Sequence, residues 1–446
     1  MNGVIAMVLA GGKGERLKPL TDGRAKPAVP FGAHFRIIDF TLSNCINSLI
    51  SRIFVLTQYK SHSLSRHLKT RLGLFAQSLD QRICEIPAQT DGHPSGGTAD
   101  AIRQNLGRVD RCRPEDVLIL SGDHIYKMDY RQFRRFHTER KASLSIAVIR
   151  VPIEIAKETF GVIEVDEAGR VVGFVEKPAS PKPIPGSGDC FASMGIYLFT
   201  TPGLHGSLDN DLSDFGQHII PAMLAAGNPV YAWDYSSCNS IAEYEYKYRS
   251  DGSLHGRRLV SKAFDSDYWR DVGSIESYWT ANLDVLSAKP KFNLTGENWP
   301  LFHQPKGHPL ARSIHAGQER AGMAVDSIVS NAVTISGSVV MTSVLGPGIH
   351  VHPLSEIRNS VFLGGSRVEG VLINTTVGRG CRIRNAIVDK CAGLPEGMTL
   401  GFDRKDDEAQ GFRCVSIAGS GEHIVVVPRS WGADIGLRAE GMEGES

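Results

Sequence analysis

A glycine-rich loop followed by three cations is the clearest sign of chemistry in this sequence. The apolar run Val4–Ala10 leads into a Gly-Gly-Lys-Gly loop at 11–14, and Arg16, Arg24 and Lys26 follow closely. Glycines let backbone N–H groups approach an anion, and the cations would neutralise several phosphate charges. The loop lacks the Gly-Lys-Ser/Thr of a P-loop, and a leucine stands where a dinucleotide fingerprint requires a small residue. The pattern therefore predicts a triphosphate site at the end of a buried strand.

Short apolar strands alternate with helical stretches over roughly the first 290 residues. We predict strands at Ile53–Thr57, Val117–Leu120 and Leu144–Val151, a helix at Tyr130–Arg140, and a hairpin at Gly161–Lys177. This alternation predicts an α/β domain with a Rossmann-like parallel or mixed sheet that is covered on both faces. In such sheets ligands bind beyond the carboxyl ends of the strands, where the glycine loop is expected to lie.

The C-terminal third of the chain has a different period, with apolar residues recurring about every six positions. The predicted anchors are Val333, Val339, Leu345, Val351, Ile357 and Leu363, continuing less regularly through Val377, Ile383 and Val388. A six-residue period with branched anchors indicates a left-handed parallel β-helix, with ordinary β-strands as the alternative. We therefore predict an α/β domain at 1–292, a linker at 293–320, a β-helix at 321–431 and a flexible tail at 432–446.

Composition narrows the classes of function. The chain has 446 residues, with 49 Lys and Arg against 48 Asp and Glu, and this near-neutral balance argues against a nucleic-acid or membrane-surface partner. The eight cysteines are scattered without C-x-x-C spacing, which predicts neither a zinc site nor disulfides. Reduced thiols are typical of cytoplasmic proteins. No segment reaches the roughly 20 apolar residues that a membrane helix needs.

Short motifs spread along the chain resemble one enzyme family in both their residues and their order. They are Gly11–Leu17, Arg24–Ala28, Phe35–Phe40, Leu42–Asn44, Gly97–Ala101, Gly122–Tyr126, Phe174–Pro178, Ser193–Tyr197, Tyr268–Gly273 and Pro395–Met398. These motifs resemble the nucleoside-diphosphate-sugar pyrophosphorylases, and most closely the bacterial glucose-1-phosphate adenylyltransferases (ADP-glucose pyrophosphorylases). The resemblance implies transfer of AMP from ATP to α-D-glucose 1-phosphate, giving ADP-glucose and pyrophosphate for glycogen synthesis.

The resemblance also implies roles for individual residues. It assigns catalysis to Arg16, Lys26 and Asp123, and Mg²⁺ binding to Asp123 and Asp271. Nucleotide binding is assigned to Gly11, Gly12, Gly97 and Asp100. Sugar-phosphate binding is assigned to Gly161, Glu176, Lys177 and Ser193. Mg²⁺ prefers carboxylate and phosphate oxygens, which suits the two aspartates. Arg24 and Arg36 resemble effector-binding arginines, so a small phosphorylated effector is expected. A cytoplasmic homotetramer is expected as well.

The sequence departs from the family pattern in three places. Thr90 and Ser95 stand where the adenine-side loop usually has a glutamine and an aromatic residue. Gly23 and Pro30 replace the lysine and histidine of enterobacterial members. The segment 236–266 is longer than usual and contains a tyrosine-rich run that the motifs do not explain.

These departures leave alternatives open. The chain could be a catalytically weak regulatory subunit, or a related pyrophosphorylase for another base or sugar. Hexapeptide proteins often transfer acyl groups, and His350 and His352 are the candidate bases for that reaction. Histidines on a solvated coil face are the simpler interpretation of this pair.

Overall fold

The computed structural model describes residues 1–69, 81–87, 96–251, 253–303, 307–316, 321–368 and 371–433. They form an α/β domain followed by a parallel β-helix, which confirms the predicted fold class. All eight cysteines lie within these ranges and are free thiols. Each helix in the described ranges is too short or too polar for a membrane crossing.

Within the described ranges, the α/β domain has fifteen strands and a set of short helices. Its strands are β1 (Val4–Leu9), β2 (Pro30–Phe31), β3 (Phe35–Arg36), β4 (Arg52–Thr57), β5 (Arg82–Pro87), β6 (Asp116–Ser121), β7 (His124–Tyr126), β8 (Leu144–Pro152), β9 (Gly161–Val165), β10 (Val171–Glu176), β11 (Asp189–Thr200), β12 (Val230–Asp234), β13 (Glu243–Tyr248), β14 (Leu254–Val260) and β15 (Trp269–Asp271). Its α-helices are Ile37–Asn47, His62–His67, Thr98–Arg103, Leu106–Cys112, Tyr130–Glu139, Ile153–Ala156, Thr201–Leu208, Ile220–Ala225, Tyr235–Cys238 and Ile275–Leu283.

One large mixed sheet organises this domain. Its strand order is β10-β9-β11-β6-β1-β4-β5, with β8 pairing β11 and β12 pairing β8. Strand β1 is parallel to β4 and β6, and β4 is parallel to β5, whereas β11 runs antiparallel to β6. The carboxyl ends of β1, β4, β5 and β6 therefore share one edge. The glycine loop follows β1 at this edge and Asp123 follows β6.

Both faces of the sheet are buried, which explains the nearly continuous apolar strands. In β1, Ala6 and Val8 belong to the core on one face, and Ile5 and Met7 to the core on the other. Full burial of each larger side chain contributes about 1.5–3 kcal/mol relative to exposure. The strands predicted at Ile53–Thr57, Val117–Leu120 and Leu144–Val151 are confirmed, and their ends differ from the prediction by at most one residue.

The tyrosine-rich run is an antiparallel hairpin that the sequence analysis did not predict. Strands β13 and β14 pair with each other from Glu243 opposite Val260 to Tyr248 opposite Leu254. Tyr246 hydrogen-bonds through its hydroxyl to Glu297, and Arg257 lies 3.4 Å from the same carboxylate. Glu243 at the start of the ribbon is buried and Tyr244 is half-buried, whereas Glu245, Tyr246 and Lys247 are exposed.

The described part of the β-helix is built from short strands, most of which lie in three sheets that form the sides of the coil, while Ser366–Val368 and Val371–Ile373 form a separate antiparallel pair. The strands are β16 (Arg312–Ile314), β17 (Met323–Val325), β18 (Ile328–Val329), β19 (Val333–Ser336), β20 (Val339–Met341), β21 (Val344–Leu345), β22 (Ile349–Val351), β23 (Glu356–Arg358), β24 (Val361–Phe362), β25 (Ser366–Val368), β26 (Val371–Ile373), β27 (Thr375–Val377), β28 (Arg382–Arg384), β29 (Ala386–Val388), β30 (Gly393–Leu394), β31 (Thr399–Leu400), β32 (Arg413–Ser416) and β33 (His423–Val427). The sheets are β16-β19-β22-β27-β30, β17-β20-β23-β28-β31 and β18-β21-β24-β29-β33-β32. Helix Arg404–Ala409 precedes the last two strands.

Two predicted anchors of the β-helix are wrong by one residue. Val340, not Val339, is fully buried, and it stacks in register on Ile357. Phe362, not Leu363, stacks on Leu345 inside the coil. The sides of the coil are not uniformly six residues long, so a strict period drifts out of phase with the inward-facing positions.

The β-helix begins inside the range predicted for the linker. Strand β16 pairs in parallel with β19, so Arg312–Ile314 already belongs to the first coil. These strand residues are exposed, because a terminal coil has a neighbour on one side only. Their weak apolar pattern made them resemble a connection.

Helix Ile275–Leu283 joins the two domains through a shared core. Tyr278 and Trp279 pack in one buried cluster with Val344, Val361 and other residues of the β-helix. The Trp279 indole also donates a 2.8 Å hydrogen bond to the backbone oxygen of Asn359.

A buried ion pair spans the same interface. The Arg24 guanidinium contacts both carboxylate oxygens of Asp389, with one N–O distance of 2.6 Å, and the two side chains are 5% and 1% exposed. Because charges buried this deeply are costly to leave unpaired, each holds the other in place.

Arg24→Ala is expected to lower the free energy of unfolding by about 3–5 kcal/mol, because Asp389 would remain buried without its counter-ion. The measurement is urea unfolding of the full chain. The matched control is Arg358→Ala, which removes a solvent-exposed partner of Glu356 and should cost less than about 1 kcal/mol. Equal effects of the two substitutions would contradict this interpretation of the interface.

Candidate active site

A cavity of about 360 Å³ opens at the carboxyl edge of the sheet. Ligand pockets typically have about 300–1,000 Å³, so its size suits a small molecule. The lining residues include Gly11, Gly12, Gly97, Asp123 and Asp214. Three of these are the glycines predicted to bind nucleotide, and they come from two separate parts of the chain.

Gly14 in the glycine loop and Gly97 in the cavity wall are both required by geometry. Gly14 has φ +66°, a left-handed conformation, and a Cβ there would lie 2.9 Å from the Thr21 methyl group. A Cβ on Gly97 would lie 2.4 Å from the backbone oxygen of Ser213. That same oxygen accepts the N–H of Ala99 at 2.9 Å, so the first turn of helix Thr98–Arg103 is held against the 213 segment.

The ammonium of Lys26 lies between the two predicted metal ligands. Its Nζ donates hydrogen bonds to Asp271 Oδ1 at 2.7 Å and to Asp123 Oδ2 at 2.9 Å. The Lys26 side chain is 7% exposed. The structure thus brings together three predicted site residues from a short turn after the glycine loop, from the end of β6 and from β15.

Burial and charge oppose each other at this cluster. Burial alone would raise the pKa of Asp123, but the Lys26 ammonium, with help from His124 and the Ser121 hydroxyl, holds that pKa well below its usual range. Burial would likewise lower the pKa of Lys26, and the Asp123 and Asp271 carboxylates raise it instead. Asp123 is therefore a carboxylate and Lys26 an ammonium at neutral pH.

The carboxylate pair fits a divalent cation. Asp123, His124 and Asp271 each place a potential ligand atom within 4.8 Å of the others. Hard cations such as Mg²⁺ take carboxylate oxygens and complete their shell with water and phosphate. The two aspartates would hold such an ion, with phosphate oxygens supplying further ligands, once Lys26 turns toward the phosphates.

His124 is a site residue that the sequence analysis missed. Its Nε2 lies 3.4 Å from Asp123 Oδ1 and 3.9 Å from Asp271 Oδ1, and its ring packs edge-on against Trp269 at 5.0 Å. Within the described ranges, its buried Nδ1 has no hydrogen-bond partner. Its position next to Asp123 in the motif Gly122–Tyr126 was the available signal.

Arg16 occupies the outer side of the cluster. Its side chain is 65% exposed, and its guanidinium lies 3.8 Å from Asp271 Oδ2. An exposed guanidinium next to a carboxylate can reorient toward an incoming phosphate at small cost.

The predicted sugar-phosphate residues form a second group on strands β9 to β11. A Cβ on Gly161 would lie 2.6 Å from the Phe174 ring and 2.8 Å from a Glu176 oxygen, so only glycine leaves room for this carboxylate. Burial raises the pKa of Glu176, with Lys177 opposing this effect. Lys177 has φ +49° and an exposed ammonium 3.9 Å from Glu176 Oε1.

A bulge in β11 directs this second group toward the cluster. The pairing of β11 with β8 shifts register between Ser193 and Tyr197. The Ser193 hydroxyl accepts the N–H of Gly195 at 3.3 Å. A Cβ on Gly195 would lie 3.5 Å from the Cβ of Ser121, so the bulge reaches the end of β6.

Asp100 organises the loop around Gly97 and is not among the cavity-lining residues. Its carboxylate accepts the N–H of Gly96 at 3.0 Å and contacts Arg103 at 3.2 Å and Gln104 at 2.9 Å. The structure therefore gives Asp100 a positioning contact, and its predicted contact with the nucleotide stays a prediction.

The two predicted regulatory arginines lie near the domain interface. Arg24 is bound to Asp389, as described above. Arg36 precedes helix Ile37–Asn47, and its guanidinium donates to the backbone oxygen of Ser63 at 2.9 Å. It lines a small cleft between the domains together with His34 and Lys390. Thr90 and Ser95 lie outside the described residues.

Comparison with known proteins agrees with this geometry. Residues 5–288 match the family model "Nucleotidyl transferase", and residues 309–427 match "GlmU-like, C-terminal hexapeptide". The chain is 40% identical over 442 residues to glucose-1-phosphate adenylyltransferase 2 of Pseudoalteromonas atlantica, covering 97% of this chain and 96% of the relative. The glucose-1-phosphate adenylyltransferases of Shewanella baltica and Nitrosococcus oceani are 42% and 41% identical, covering 92% of this chain and 91% of each relative.

The chain belongs to the glucose-1-phosphate adenylyltransferase family. This confirms the resemblance inferred from the motifs, and the protein is a nucleotidyltransferase. Nucleotidyltransferases of this family generally use a divalent metal, which agrees with the carboxylate pair.

Lys26→Met is expected to move the acid limit of metal binding to higher pH. With Lys26 present, the depressed pKa keeps Asp123 ionised. The stabilising effect of this carboxylate is lost only as the pH falls below about 4, the pKa of an aspartate in the unfolded chain. Without the ammonium, burial and the neighbouring carboxylate raise that pKa, and protonation then competes with the metal.

The measurement is Mn²⁺ affinity as a function of pH in the Lys26→Met variant and its parent. Lys13→Met is the matched control, since Lys13 is an exposed lysine of the glycine loop. If the midpoint of the pH profile does not move in Lys26→Met, the ammonium does not control the ionisation of Asp123.

Proposed function

We propose that this protein transfers AMP from ATP to α-D-glucose 1-phosphate, forming ADP-glucose and pyrophosphate for glycogen synthesis. The observation that carries the proposal is the convergence of Lys26 and Asp271 on Asp123, which lines the cavity. Its support is 40–42% identity to named adenylyltransferases over almost the whole chain.

In the proposed reaction, a phosphate oxygen of glucose 1-phosphate attacks the α-phosphorus of ATP. A new oxygen–phosphorus bond forms, and the bond between the α-phosphorus and the bridging oxygen of the β-phosphate breaks, releasing pyrophosphate. Such transfers depend on positioning and charge neutralisation more than on covalent catalysis. Mg²⁺, when bound by Asp123 and Asp271, would neutralise phosphate charge.

Residues of the chain itself would bind the triphosphate and stabilise its negative charge. The N–H groups of Gly11 and Gly12 would face the triphosphate at the end of β1. Lys26 and Arg16 would stabilise the negative charge on the α-phosphate and the leaving pyrophosphate. Both are cations at neutral pH, and Lys26 is held in place by the aspartates before substrate arrives. Once Lys26 has turned from the aspartates toward the bound phosphates, both charges would be in place before the chemical step begins.

The second group would hold the sugar phosphate opposite the nucleotide. The exposed Lys177 ammonium suits the phosphate, and Glu176 and Ser193 can accept or donate hydrogen bonds to sugar hydroxyls. Gly161 contributes by leaving space for the Glu176 carboxylate. The raised pKa of Glu176 reflects a partly desolvated site, in which hydrogen bonds to hydroxyl groups are strengthened.

The test is pyrophosphate release across a panel of nucleoside triphosphates and sugar 1-phosphates. ATP with glucose 1-phosphate should give the highest kcat/KM. Asp123→Asn should lose about 3–4 kcal/mol of transition-state stabilisation, which is a factor of several hundred. Asp110→Asn should retain full activity, because Asp110 is exposed, pairs with His205 and does not line the cavity.

Three outcomes would contradict the proposal. Preference for another base or sugar would indicate a related pyrophosphorylase. Absence of turnover with every pair, in a folded protein, would indicate a regulatory subunit. An Asp123→Asn variant within a factor of ten of the parent, about 1.4 kcal/mol, would remove the metal role of this carboxylate.

A small phosphorylated effector is also proposed, at the cleft lined by His34, Arg36 and Lys390. Phosphate groups are recognised by arginine forks and neighbouring cations. Fructose 1,6-bisphosphate should activate weakly or not at all, because Gly23 and Pro30 supply no positive charge.

The measurement is activity against effector concentration in the parent, Gly23→Lys and Arg36→Gln. Gly23→Lys should strengthen activation, and Arg36→Gln should abolish what remains. Strong activation of the parent at micromolar fructose 1,6-bisphosphate would refute this part of the proposal.

We also propose that the protein is a cytoplasmic homotetramer, which assembles through the β-helix. Its first coil exposes apolar side chains at Ile314, Met323 and Val325, each at least 40% exposed. Apolar side chains grouped on a terminal coil favour contact with another subunit. Both substrates are phosphorylated metabolites, which suits a cytoplasmic enzyme. Light scattering of the full chain would test the tetramer, and a monomeric mass would exclude it.

A further inference from the structure

Three side chains that commonly bind metals converge at the end of the β-helix, far from the aspartates of the active site in sequence. Asp407 lies on helix Arg404–Ala409, Cys414 on β32 and His423 on β33. One potential ligand atom from each lies within 4.8 Å of the other two. The sequence spacing did not reveal this group, because the three residues sit on three different elements.

The geometry of the group is close to that of a metal centre. His423 Nε2 lies 2.7 Å from Asp407 Oδ2. Zinc–ligand bonds of about 2.0–2.3 Å place tetrahedral ligands roughly 3.5 Å apart, so these two atoms would have to separate by less than about one ångström to hold an ion between them. Asp407 and His423 are buried, whereas Cys414 is half-buried and gives an ion a route from solvent.

The charges of the group suit a divalent cation. A carboxylate and a thiolate together would balance two positive charges, and a neutral imidazole would complete the protein ligands. Burial, with the nearby Asp407 and Glu408 carboxylates, raises the pKa of Cys414 to about 11. Metal binding to a cysteine displaces the thiol proton, so the affinity of the proposed site would rise with pH.

The surroundings hold these side chains in place. Asp407 Oδ2 also accepts the backbone N–H of Gly401 at 3.1 Å, the kind of outer contact that orients metal-ligating carboxylates. The helix that carries Asp407 begins at Asp403, whose carboxylate caps it by accepting the N–H of Lys405 at 2.8 Å. Strands β32 and β33 pair antiparallel and form the last hairpin, and Phe412, just before β32, packs against Trp431.

We propose that Asp407, Cys414 and His423 form a binding site for a borderline-soft divalent cation such as Zn²⁺, with water as the fourth ligand. Mixed sulfur, nitrogen and oxygen ligands favour zinc over the hard Mg²⁺ expected at the active site. The site is distinct from the catalytic carboxylates, which offer no sulfur.

The ion would stabilise the contact between the hairpin formed by β32 and β33 and the α/β domain. Residues next to the site reach across the interface: the Arg413 guanidinium donates to the backbone oxygen of Lys18, and the Ala418 N–H donates to Glu276 at 2.8 Å. Val415 and Ile424 pack in the interdomain core. A cross-link between helix, β32 and β33 would fix the hairpin that makes these contacts.

The test is titration of the full chain with Co²⁺ in the presence of excess Mg²⁺, which occupies the active-site carboxylates. Co²⁺ reports a sulfur ligand through a thiolate-to-cobalt charge-transfer band that oxygen and nitrogen ligands do not produce. The expected result is a band that saturates at one equivalent per chain and is displaced by Zn²⁺. Zn²⁺ should also raise the melting temperature in a concentration-dependent way.

Matched variants separate the site from other thiols. Cys414→Ser should lose the band and the thermal response to Zn²⁺, and His423→Gln should weaken affinity by a factor of about 10 or more. Cys238→Ser removes an exposed cysteine elsewhere and should change neither. Failure of the folded parent to give the band would overturn the proposal, as would a band that persists in Cys414→Ser. Pyrophosphate release is not used as a readout, so this result is independent of the proposed reaction.

Discussion

The buried contact of Lys26 with Asp123 and Asp271 is the interaction on which the rest of the site depends. Two carboxylates this close would repel each other, and burial would drive one of them to take up a proton. The ammonium between them removes both penalties, at distances of 2.7 and 2.9 Å. The same three groups can therefore stay charged before substrate arrives, which is the condition for preorganised electrostatic catalysis.

The segment that carries Lys26 also ties the two domains together. Arg24, two residues earlier, binds Asp389 of the β-helix, while Lys26 binds the carboxylates of the active site. The short 3₁₀ turn Lys26–Ala28 directly follows Arg24 and Ala25, so a shift of the β-helix against the α/β domain would move the ammonium. This continuity gives a physical route by which a ligand at the domain interface could alter the charge cluster.

Local patterns in the sequence predicted much of this fold. The apolar strands, the glycine loop and the repeat of the β-helix each depend on neighbouring residues, and all of them were found. The sequence alone did not show how distant segments of the chain meet in the folded protein. Asp271 reaches Lys26 because β15 pairs with β7, and the Ser193 bulge depends on a register shift in β11.

The errors have similar physical causes. Val339 and Leu363 were chosen as anchors because a strict six-residue period ignores coil sides of unequal length. The role of His124 depends on its nearness to Asp271 as well as to Asp123, and Asp271 reaches it only through the pairing of β15 with β7. Asp407, Cys414 and His423 meet only after the last helix folds onto the hairpin.

The most direct test of the central claim is a double-mutant cycle on metal binding. Mn²⁺ affinity in the presence of ATP would be measured for the parent, Asp123→Asn, Asp271→Asn and the double variant. If the carboxylates share one ion, the two losses are not additive, and the coupling energy should exceed about 1 kcal/mol. Losses that add within about 0.5 kcal/mol would show that the two aspartates act independently, and would contradict the account.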